Sequence, residues 1–314
     1  MRHWKNKWLL SLIASLLSFG VCAQGNDFHS QTGDSAREVA NGVQIDNEAG
    51  SDASPITFRN SGLSLRSSMA LIVDQKTGRI LYGKNTDTRA PIASITKLMT
   101  AMVVLDANLP LNEKITIGND DVDTLRNTHS RLKVGIKLPR EMALQLALMS
   151  SENRAASALG RHYPGGLPAF VAAMNRKAAS LGMTQTHFVD ATGLSGDNVS
   201  TAEDLVKMVQ AAHQYPLVRD MTTTGEYGVA HKSTGRQMQF RNTNMLVRNN
   251  SWQIGLSKTG FINEAGHCLV MQAEIAKQPM IIVLLDSWGK LSRIGDAQRI
   301  KKWMESSLSK RRYS

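Results

Sequence analysis

The chain has 314 residues, of which 42% are hydrophobic, 20% are charged and 5% are aromatic, with a formal net charge of +11. This composition is typical of a globular protein with a sizeable core, and it excludes collagen, a coiled coil, a wholly disordered chain and a polytopic membrane protein. The basic charge suits an anionic partner such as a cell-wall polymer, whereas no cluster of Lys and Arg with interleaved aromatics predicts nucleic-acid binding.

The N-terminal segment predicts export. The basic stretch Arg2–Lys7 precedes an uncharged apolar run from Trp8 to Val21, and small residues follow at its end, so residues 1–23 are predicted to be a signal peptide. An uncleaved anchor is the alternative, although the run is short for a membrane span. Residues 24–60 carry six acidic and two basic side chains with few apolar ones, which predicts a flexible acidic linker before one folded domain at 61–314.

The folded domain has strand patterns at both ends and helical patterns between them. Met69–Asp74 and Arg79–Gly83 predict a hairpin around the turn Gln75–Gly78. Helices are then predicted at 94–107, 139–149, 152–161, 167–181 and 201–214, strands at 254–261, 267–275 and 279–286, and a last helix at 291–308. This order predicts an α/β protein of the α+β kind, with an antiparallel sheet built from both ends of the domain and a helical insert.

Cys268 is the one cysteine that remains if the signal peptide is removed, because the other cysteine is Cys22. The exported chain is therefore predicted to contain no internal disulfide. The apolar neighbours Leu269, Val270 and Met271 favour a thiol buried in a strand over a nucleophile.

The first long helix carries the first candidate for catalysis. Lys97 is the only charged residue between 94 and 105, and the surrounding residues are apolar on nearly every face, so its ammonium group must be paired or become neutral. A neutral lysine can accept the proton of a serine hydroxyl, and Ser94 lies three residues earlier, at the helix start, where backbone N–H groups stabilise an oxyanion. These features favour Ser94 as a nucleophile and Lys97 as its base.

Two other Ser-x-x-Lys sequences lack this context. Ser287–Lys290 follows a predicted strand, and Ser307–Lys310 lies in a basic helix near the end of the chain. Neither combines a helix start with a buried lysine, so neither is favoured as a catalytic pair.

The second candidate is Ser151–Asn153, between two predicted helices. The Ser151 hydroxyl can relay a proton, and the Asn153 amide can hold a substrate carbonyl. The alternative is that Ser151 only caps the following helix.

The third candidate is Lys258-Thr259-Gly260, on a predicted strand. Lys258 and Thr259 suit a substrate carboxylate, and Gly260 lets a ligand approach the backbone closely. The same three letters occur at Lys76–Gly78, but there they fall in the predicted hairpin turn.

The three motifs in this order resemble the active-site set of penicillin-binding proteins and class A β-lactamases. The similarity to low-molecular-mass penicillin-binding proteins covers about residues 65–305, and it is strongest to the periplasmic D-alanyl-D-alanine endopeptidases. It rests on the segments Pro91–Ala107, Ala147–Ala156, His162–Gly166, Arg241–Asn244, Lys258–Phe261 and Glu264–Met271.

The resemblance implies a serine DD-peptidase with the β-lactamase/transpeptidase-like fold, a five-stranded antiparallel sheet flanked by helices. It implies that Ser94 is acylated by peptidoglycan peptide stems and that D-Ala–diaminopimelate cross-links are cleaved. β-Lactams would be covalent inhibitors, the oxyanion hole would use the N–H groups of Ser94 and Phe261, and no metal or organic cofactor is implied. Protein partners are left unknown.

Several relatives share the motifs, so the sequence leaves alternatives open. A class A β-lactamase needs a deacylating glutamate, and between the second and third motifs only Glu203 and Glu226 occur, neither in the required context. A DD-carboxypeptidase often has an added C-terminal domain, whereas only 54 residues follow Gly260. A non-catalytic β-lactam-binding or peptidoglycan-binding module is the remaining alternative.

Overall fold

The structure, a computed structural model, describes residues 62–230, 237–249 and 251–311. The signal peptide and the acidic linker predicted from the sequence lie outside these ranges. Their boundaries, and the start of the folded domain at residue 61, therefore stay predictions.

The strands define one large sheet and three small two-stranded pairs. The large sheet is antiparallel with the order β2-β1-β11-β10-β9, so the sheet predicted from the two ends of the domain is confirmed. In chain order the strands are β1 (Ser67–Asp74), β2 (Ile80–Lys84), β3 (Ala90–Pro91), β4 (Lys114–Thr116), β5 (Lys137–Pro139), β6 (Val199–Ser200), β7 (Glu226–Ala230), β8 (Gln237–Arg241), β9 (Gln253–Ile262), β10 (Gly266–Ile275) and β11 (Gln278–Ser287).

Apart from the last one, the helices lie in chain order between strands β1 and β2 and strands β9 to β11 of the large sheet. They are α1 (Thr96–Asp106), α2 (Arg140–Met149), α3 (Asn153–Arg161), α4 (Gly166–Ser180), α5 (Ala202–Ala212), α6 (Pro216–Thr223) and α7 (Ser292–Arg311). All helices predicted from the sequence are present. Helix α6 and the small pairs β3–β6, β4–β5 and β7–β8 were not predicted.

The large sheet is buried on both faces, which explains why β11 is a nearly continuous apolar run. In β10, Cys268 and Val270 belong to the core formed with the middle helices, whereas Leu269 and Met271 belong to a second core. Helix α7 covers this second face. Cys268 is fully buried, and its burial raises the pKa of the thiol to about 11, so the thiol is structural, as the sequence indicated.

A buried polar contact joins β1 to the start of α7. The Asp296 carboxylate accepts hydrogen bonds from the Arg66 and Ser67 N–H groups at 2.9 and 2.8 Å and from the Ser67 hydroxyl at 2.6 Å. The Ser67 hydroxyl also lies 2.7 Å from the Ser287 hydroxyl, at the end of β11. Ser287 is therefore a structural residue, so Ser287–Lys290, the first of the two additional Ser-x-x-Lys sequences, is not a catalytic pair.

The Lys76–Gly78 sequence forms the β1–β2 turn. The Asp74 carboxylate accepts hydrogen bonds from the Lys76 and Thr77 N–H groups, and the Gly78 N–H donates to the Asp74 carbonyl. This is the turn chemistry that the sequence indicated.

Candidate active site

Ser94 lies in a single turn of 3₁₀ helix, Ala93–Ile95, directly before α1. The sequence placed the helix start at Ser94, whereas the α-helix begins at Thr96. Ala93, which opens the turn, has a φ of +47°, in the left-handed region that alanine rarely adopts. Strained backbone at a functional group persists only where the surroundings enforce it. Two glycines, Gly193 and Gly260, pack against this turn.

Lys97 is fully buried and makes three contacts. Its Nζ atom lies 2.8 Å from Ser94 Oγ, 2.8 Å from Asn153 Oδ1 and 2.6 Å from the Thr192 carbonyl oxygen. Burial lowers the pKa of Lys97 to about 7, although the Asp190 and Glu152 carboxylates act against this shift. Because Asn153 Oδ1 and the Thr192 carbonyl can only accept, a neutral amine donates its two protons to them and directs its lone pair at the Ser94 hydroxyl.

The Thr192 carbonyl is held in place by a loop at residues 190–198. The Asp190 carboxylate accepts hydrogen bonds from the N–H groups of Thr192, Gly193 and Ser195 at 2.6, 2.6 and 2.9 Å. Asn198 ties the loop to α1 through Thr96 Oγ1 at 3.1 Å. Sequence reasoning missed this loop, because the group that contacts Lys97 is a backbone carbonyl and carries no side-chain signal.

Ser151–Asn153 forms the turn between α2 and α3. The N-cap of α3 is Glu152, so Ser151 is not the helix cap that the sequence left open. Ser151 has a left-handed φ of +61°, and its hydroxyl accepts a hydrogen bond of 2.8 Å from Lys258 Nζ. Asn153 contacts Lys97 through its oxygen and donates through Nδ2 to Thr128 Oγ1 at 3.0 Å.

Lys258 and Thr259 extend this network along β9. Lys258 is almost fully buried, and burial together with the positive charges of Lys97 and Arg293 holds its pKa well below the usual range. The Thr259 hydroxyl donates to Thr243 Oγ1 at 2.7 Å. Thr243 belongs to a segment that resembled the peptidases in sequence, but no role was assigned to it there.

Gly260 brings β9 against the Ser94 turn. A Cβ atom at Gly260 would lie 2.9 Å from the Ile92 carbonyl oxygen and 3.1 Å from the Ser94 nitrogen. The sequence argument was that Gly260 admits a ligand; the structure shows that it admits the backbone of the Ser94 turn. The N–H of Ser94 thereby comes next to the strand segment that carries Phe261, whose side chain is half exposed.

Arg293, at the start of α7, is a further residue that the sequence did not identify. Its guanidinium is largely buried and donates from Nη1 to the carbonyls of Gly260 at 2.8 Å and Cys268 at 3.2 Å. It holds the end of β9 and places a positive charge near Lys258. An arginine 33 positions after Gly260 in a basic helix gave no recognisable pattern.

Three loops meet at Arg126 beside the site. Its Nη2 atom forms an ion pair of 2.8 Å with Glu264, in the β9–β10 turn, and its Nε atom donates to the Leu194 carbonyl at 2.6 Å. On the other side of the Ser151–Asn153 turn, a cavity of about 630 Å³ opens between this turn and β8. Its lining includes the basic side chains of Arg131 and Arg241, together with His129 and the Glu152 carboxylate.

The carboxylates near Lys97 are engaged by other groups. Glu152 Oε1 accepts from Ser130 Oγ at 2.7 Å and from the Arg131 N–H at 3.2 Å, and Asp190 is occupied within its own loop. The glutamates considered for a β-lactamase are elsewhere: Glu203 accepts from Thr86, and Glu226 pairs with Arg241. These contacts give no support to a deacylating glutamate.

Gly193→Ala is expected to lower the rate of acylation by penicillin at least tenfold. A Cβ at this position would lie 1.9 Å from the Ala93 carbonyl oxygen, so the Ser94 turn must move, and such small misplacements of reacting groups are costly. Stopped-flow labelling with a fluorescent penicillin measures the rate. Gly182→Ala is the matched control, because Gly182 has a similar φ of +68° against +78° but open space around it. Equal rates in the two variants would contradict the positioning role.

The comparisons with known proteins agree with this geometry. The family model described as D-alanyl-D-alanine carboxypeptidase, peptidase S11, matches residues 56–289. The chain is 52% identical to a D-alanyl-D-alanine endopeptidase of Pseudomonas aeruginosa over 242 residues, 77% of this chain and 78% of that protein. The structure is similar to the Streptomyces K15 DD-transpeptidase, with a TM-score of 0.71 and 32% identity over 76% of this chain and 97% of that one.

A further similar structure is penicillin-binding protein D2 of Listeria monocytogenes in its ampicillin-bound form. Its TM-score is 0.66 and its identity 30%, over 79% of this chain and 100% of that one. The fold and these likenesses define a serine DD-peptidase with the β-lactamase/transpeptidase fold. The chain belongs to the D-alanyl-D-alanine carboxypeptidase family of serine peptidases.

Among the described residues there is neither a metal-holding cluster nor a membrane-spanning helix. Across 62–230, 237–249 and 251–311, no group of three or more His, Cys, Asp and Glu side chains is placed to hold a metal ion. Within the same ranges, no helix combines the length and the apolar character that a membrane span requires.

Proposed function

We propose that the chain is a periplasmic endopeptidase that hydrolyses D-Ala–diaminopimelate cross-links of peptidoglycan through an acyl-enzyme on Ser94. The observation that carries this proposal is the position of Lys97 Nζ, 2.8 Å from Ser94 Oγ and fully buried between two acceptors. The predicted signal peptide supports the compartment, and the family supports a peptide substrate.

Acylation begins with proton transfer from Ser94 Oγ to the neutral Lys97. The oxygen forms a bond to the D-Ala carbonyl carbon, and the N–H groups of Ser94 and Phe261 stabilise the oxyanion. When the C–N bond breaks, the proton that Lys97 accepted passes to the leaving amine through the Ser151 hydroxyl, to which Lys258 donates, and Lys97 becomes neutral again. Water then cleaves the ester with Lys97 again acting as base, which releases the acid and restores Ser94.

The leaving group distinguishes an endopeptidase from a carboxypeptidase. A carboxypeptidase releases one terminal D-Ala, whereas an endopeptidase releases a whole peptide stem. The similarity to the Pseudomonas aeruginosa endopeptidase favours the second activity for this chain, although the family as a whole is described by the first. We assign the Thr259 hydroxyl and Lys258 to the carboxylate of the leaving residue in either case.

Purified protein is expected to convert a cross-linked dimeric muropeptide into two monomers. Release of terminal D-Ala from a pentapeptide monomer should be at least about tenfold slower, as we expect from the 52% identity to an endopeptidase. Chromatography with mass detection identifies both products, and Ser94→Ala protein is the control for contaminating peptidases. Faster release of D-Ala with intact dimer would assign a carboxypeptidase instead. A penicillin-labelled protein that forms neither product would be the non-catalytic module.

A further inference from the structure

A loop at residues 123–128 supports Asn153 from the side opposite to Lys97. The loop is organised by Asp123, whose buried carboxylate accepts a hydrogen bond of 2.6 Å from the Thr128 hydroxyl. The same carboxylate accepts from three backbone N–H groups, those of Leu125, Arg126 and Thr128, at 3.0, 2.9 and 2.9 Å. Asp123 therefore fixes both the course of the loop and the direction of the Thr128 hydroxyl.

The Thr128 hydroxyl can act only as an acceptor towards Asn153. Its proton is donated to Asp123, so its remaining lone pairs accept from Asn153 Nδ2 at 3.0 Å. If the amide were turned by 180°, its carbonyl oxygen would face the hydroxyl oxygen with no proton between them. Thr128 therefore selects the orientation in which Asn153 Oδ1 faces Lys97 Nζ, at 2.8 Å.

This selection matters most when Lys97 is neutral. An ammonium group has donors only, so a charged Lys97 attracts the amide oxygen without help. A neutral amine both donates and accepts, so it tolerates either end of the amide. An amide N–H facing the amine would occupy the lone pair that must accept the Ser94 proton. In the reactive state, the orientation of Asn153 thus depends on Thr128.

We propose that Thr128 is a positioning residue for the acylation of Ser94, because its hydroxyl keeps the oxygen of the Asn153 amide directed at the catalytic base. This inference rests on the proposed function and adds the group that keeps the base reactive. The amide nitrogen has two hydrogens. Thr128 takes one of them, and the other is left for the substrate carbonyl that the sequence analysis assigned to Asn153.

Thr128→Val removes the acceptor and nearly preserves the shape of the side chain. In this variant a neutral Lys97 allows the amide to turn, and the turned fraction is unreactive, whereas a charged Lys97 still holds the amide oxygen. The second-order rate constant of penicillin acylation should be unchanged well below pH 7 and fall about fivefold on the plateau above it, the effect of one ordinary hydrogen bond. The midpoint of the pH profile should fall by the logarithm of the same factor, about 0.7 pH unit.

The titratable side chains around Lys97 and Thr128 are the same in the wild type and the variants. They are Asp123, His129, Glu152, Asp190 and Lys258. Burial acts to raise the pKa of Asp123, but the hydrogen bonds from the Thr128 hydroxyl and the three N–H groups hold it below the usual value. The three N–H groups remain in Thr128→Val, so a lower midpoint reports the loss of the hydroxyl.

Rates of labelling from pH 5 to 9 in matched variants test the role of Thr128. Thr128→Ser keeps the hydroxyl and should recover the wild-type profile, and Thr124→Val, exposed in the same loop, is the control. Loss by one factor at every pH would overturn the positioning role, because a general disturbance of the site has that signature. An unchanged profile in Thr128→Val, or the same loss in Thr128→Ser, would overturn it too. Wild-type protein without a penicillin adduct on Ser94 would instead overturn the proposed function.

Discussion

Ser94→Ala is expected to abolish cleavage of the dimeric muropeptide and covalent labelling by penicillin, by at least about 10⁴-fold. The neighbouring Ser151 hydroxyl is held by Lys258 and cannot replace it as the acylated group. Intact-mass measurement after incubation with penicillin reads the loss of the adduct. The Tm should change little, because the Asn153 and Thr192 contacts of Lys97 remain.

Ser180→Ala, at the exposed end of α4, is the matched control for Ser94→Ala. It should keep wild-type labelling and cleavage. A penicillin adduct on the Ser94→Ala protein, located to another residue by peptide mapping, would show that the nucleophile is elsewhere.

The rate of penicillin acylation is expected to rise about tenfold per pH unit below pH 7 and to level off above it. Burial lowers the pKa of Lys97 to about 7, and only the neutral amine can accept the Ser94 proton. Lys97→Arg should remove this pH dependence and at least about 10³ of the rate, since a guanidinium stays protonated. Rates of labelling measured from pH 5 to 9 test both effects. Lys177→Arg, in an ion pair with Asp106, is the control.

The lowered pKa of Lys97 also determines how its contribution to the free energy of unfolding changes with pH. Between about pH 7 and the ordinary value of 10.5, the folded chain binds fewer protons at Lys97 than the unfolded chain does. The contribution of Lys97 to the free energy of unfolding therefore increases with pH across this window.

The outcome that contradicts a role of Lys97 as base is a wild-type acylation rate in Lys97→Arg, or an acylation rate of the wild type that does not depend on pH. Lys97 would then be a structural residue.

The long elements of the fold were predictable because each has its own pattern. The strands β9, β10 and β11 differ from the predicted ranges by at most one residue at each end, and α3 by one residue at its start. Helix α6 was missed because it is short, with two threonines at its end. The β7–β8 pair was missed although Gln237–Arg241 alternates polar and apolar residues, with Met238 and Phe240 on the less exposed face.

The sequence predicted the side chains of the candidate site but not what fixes their positions. Lys97 was recognisable because a lone charge in an apolar helix requires an explanation. The Thr192 carbonyl, 95 residues later, was not, since any residue type supplies a carbonyl. Arg293 acts by contacting two more carbonyls, those of Gly260 and Cys268. Such contacts depend on tertiary structure and leave no local pattern.

The order of the strands also constrains how the polypeptide folds. β1 pairs with β11, so that Ser67 meets Ser287 across 220 residues of chain, and Asp296 in α7 fixes the start of β1. The N-terminal hairpin therefore has no partner in the sheet until almost the last part of the chain has been synthesised. Such distant pairing slows folding, because the loop must close before its contacts stabilise it. An emerging chain accordingly cannot complete the large sheet until most of it has been synthesised.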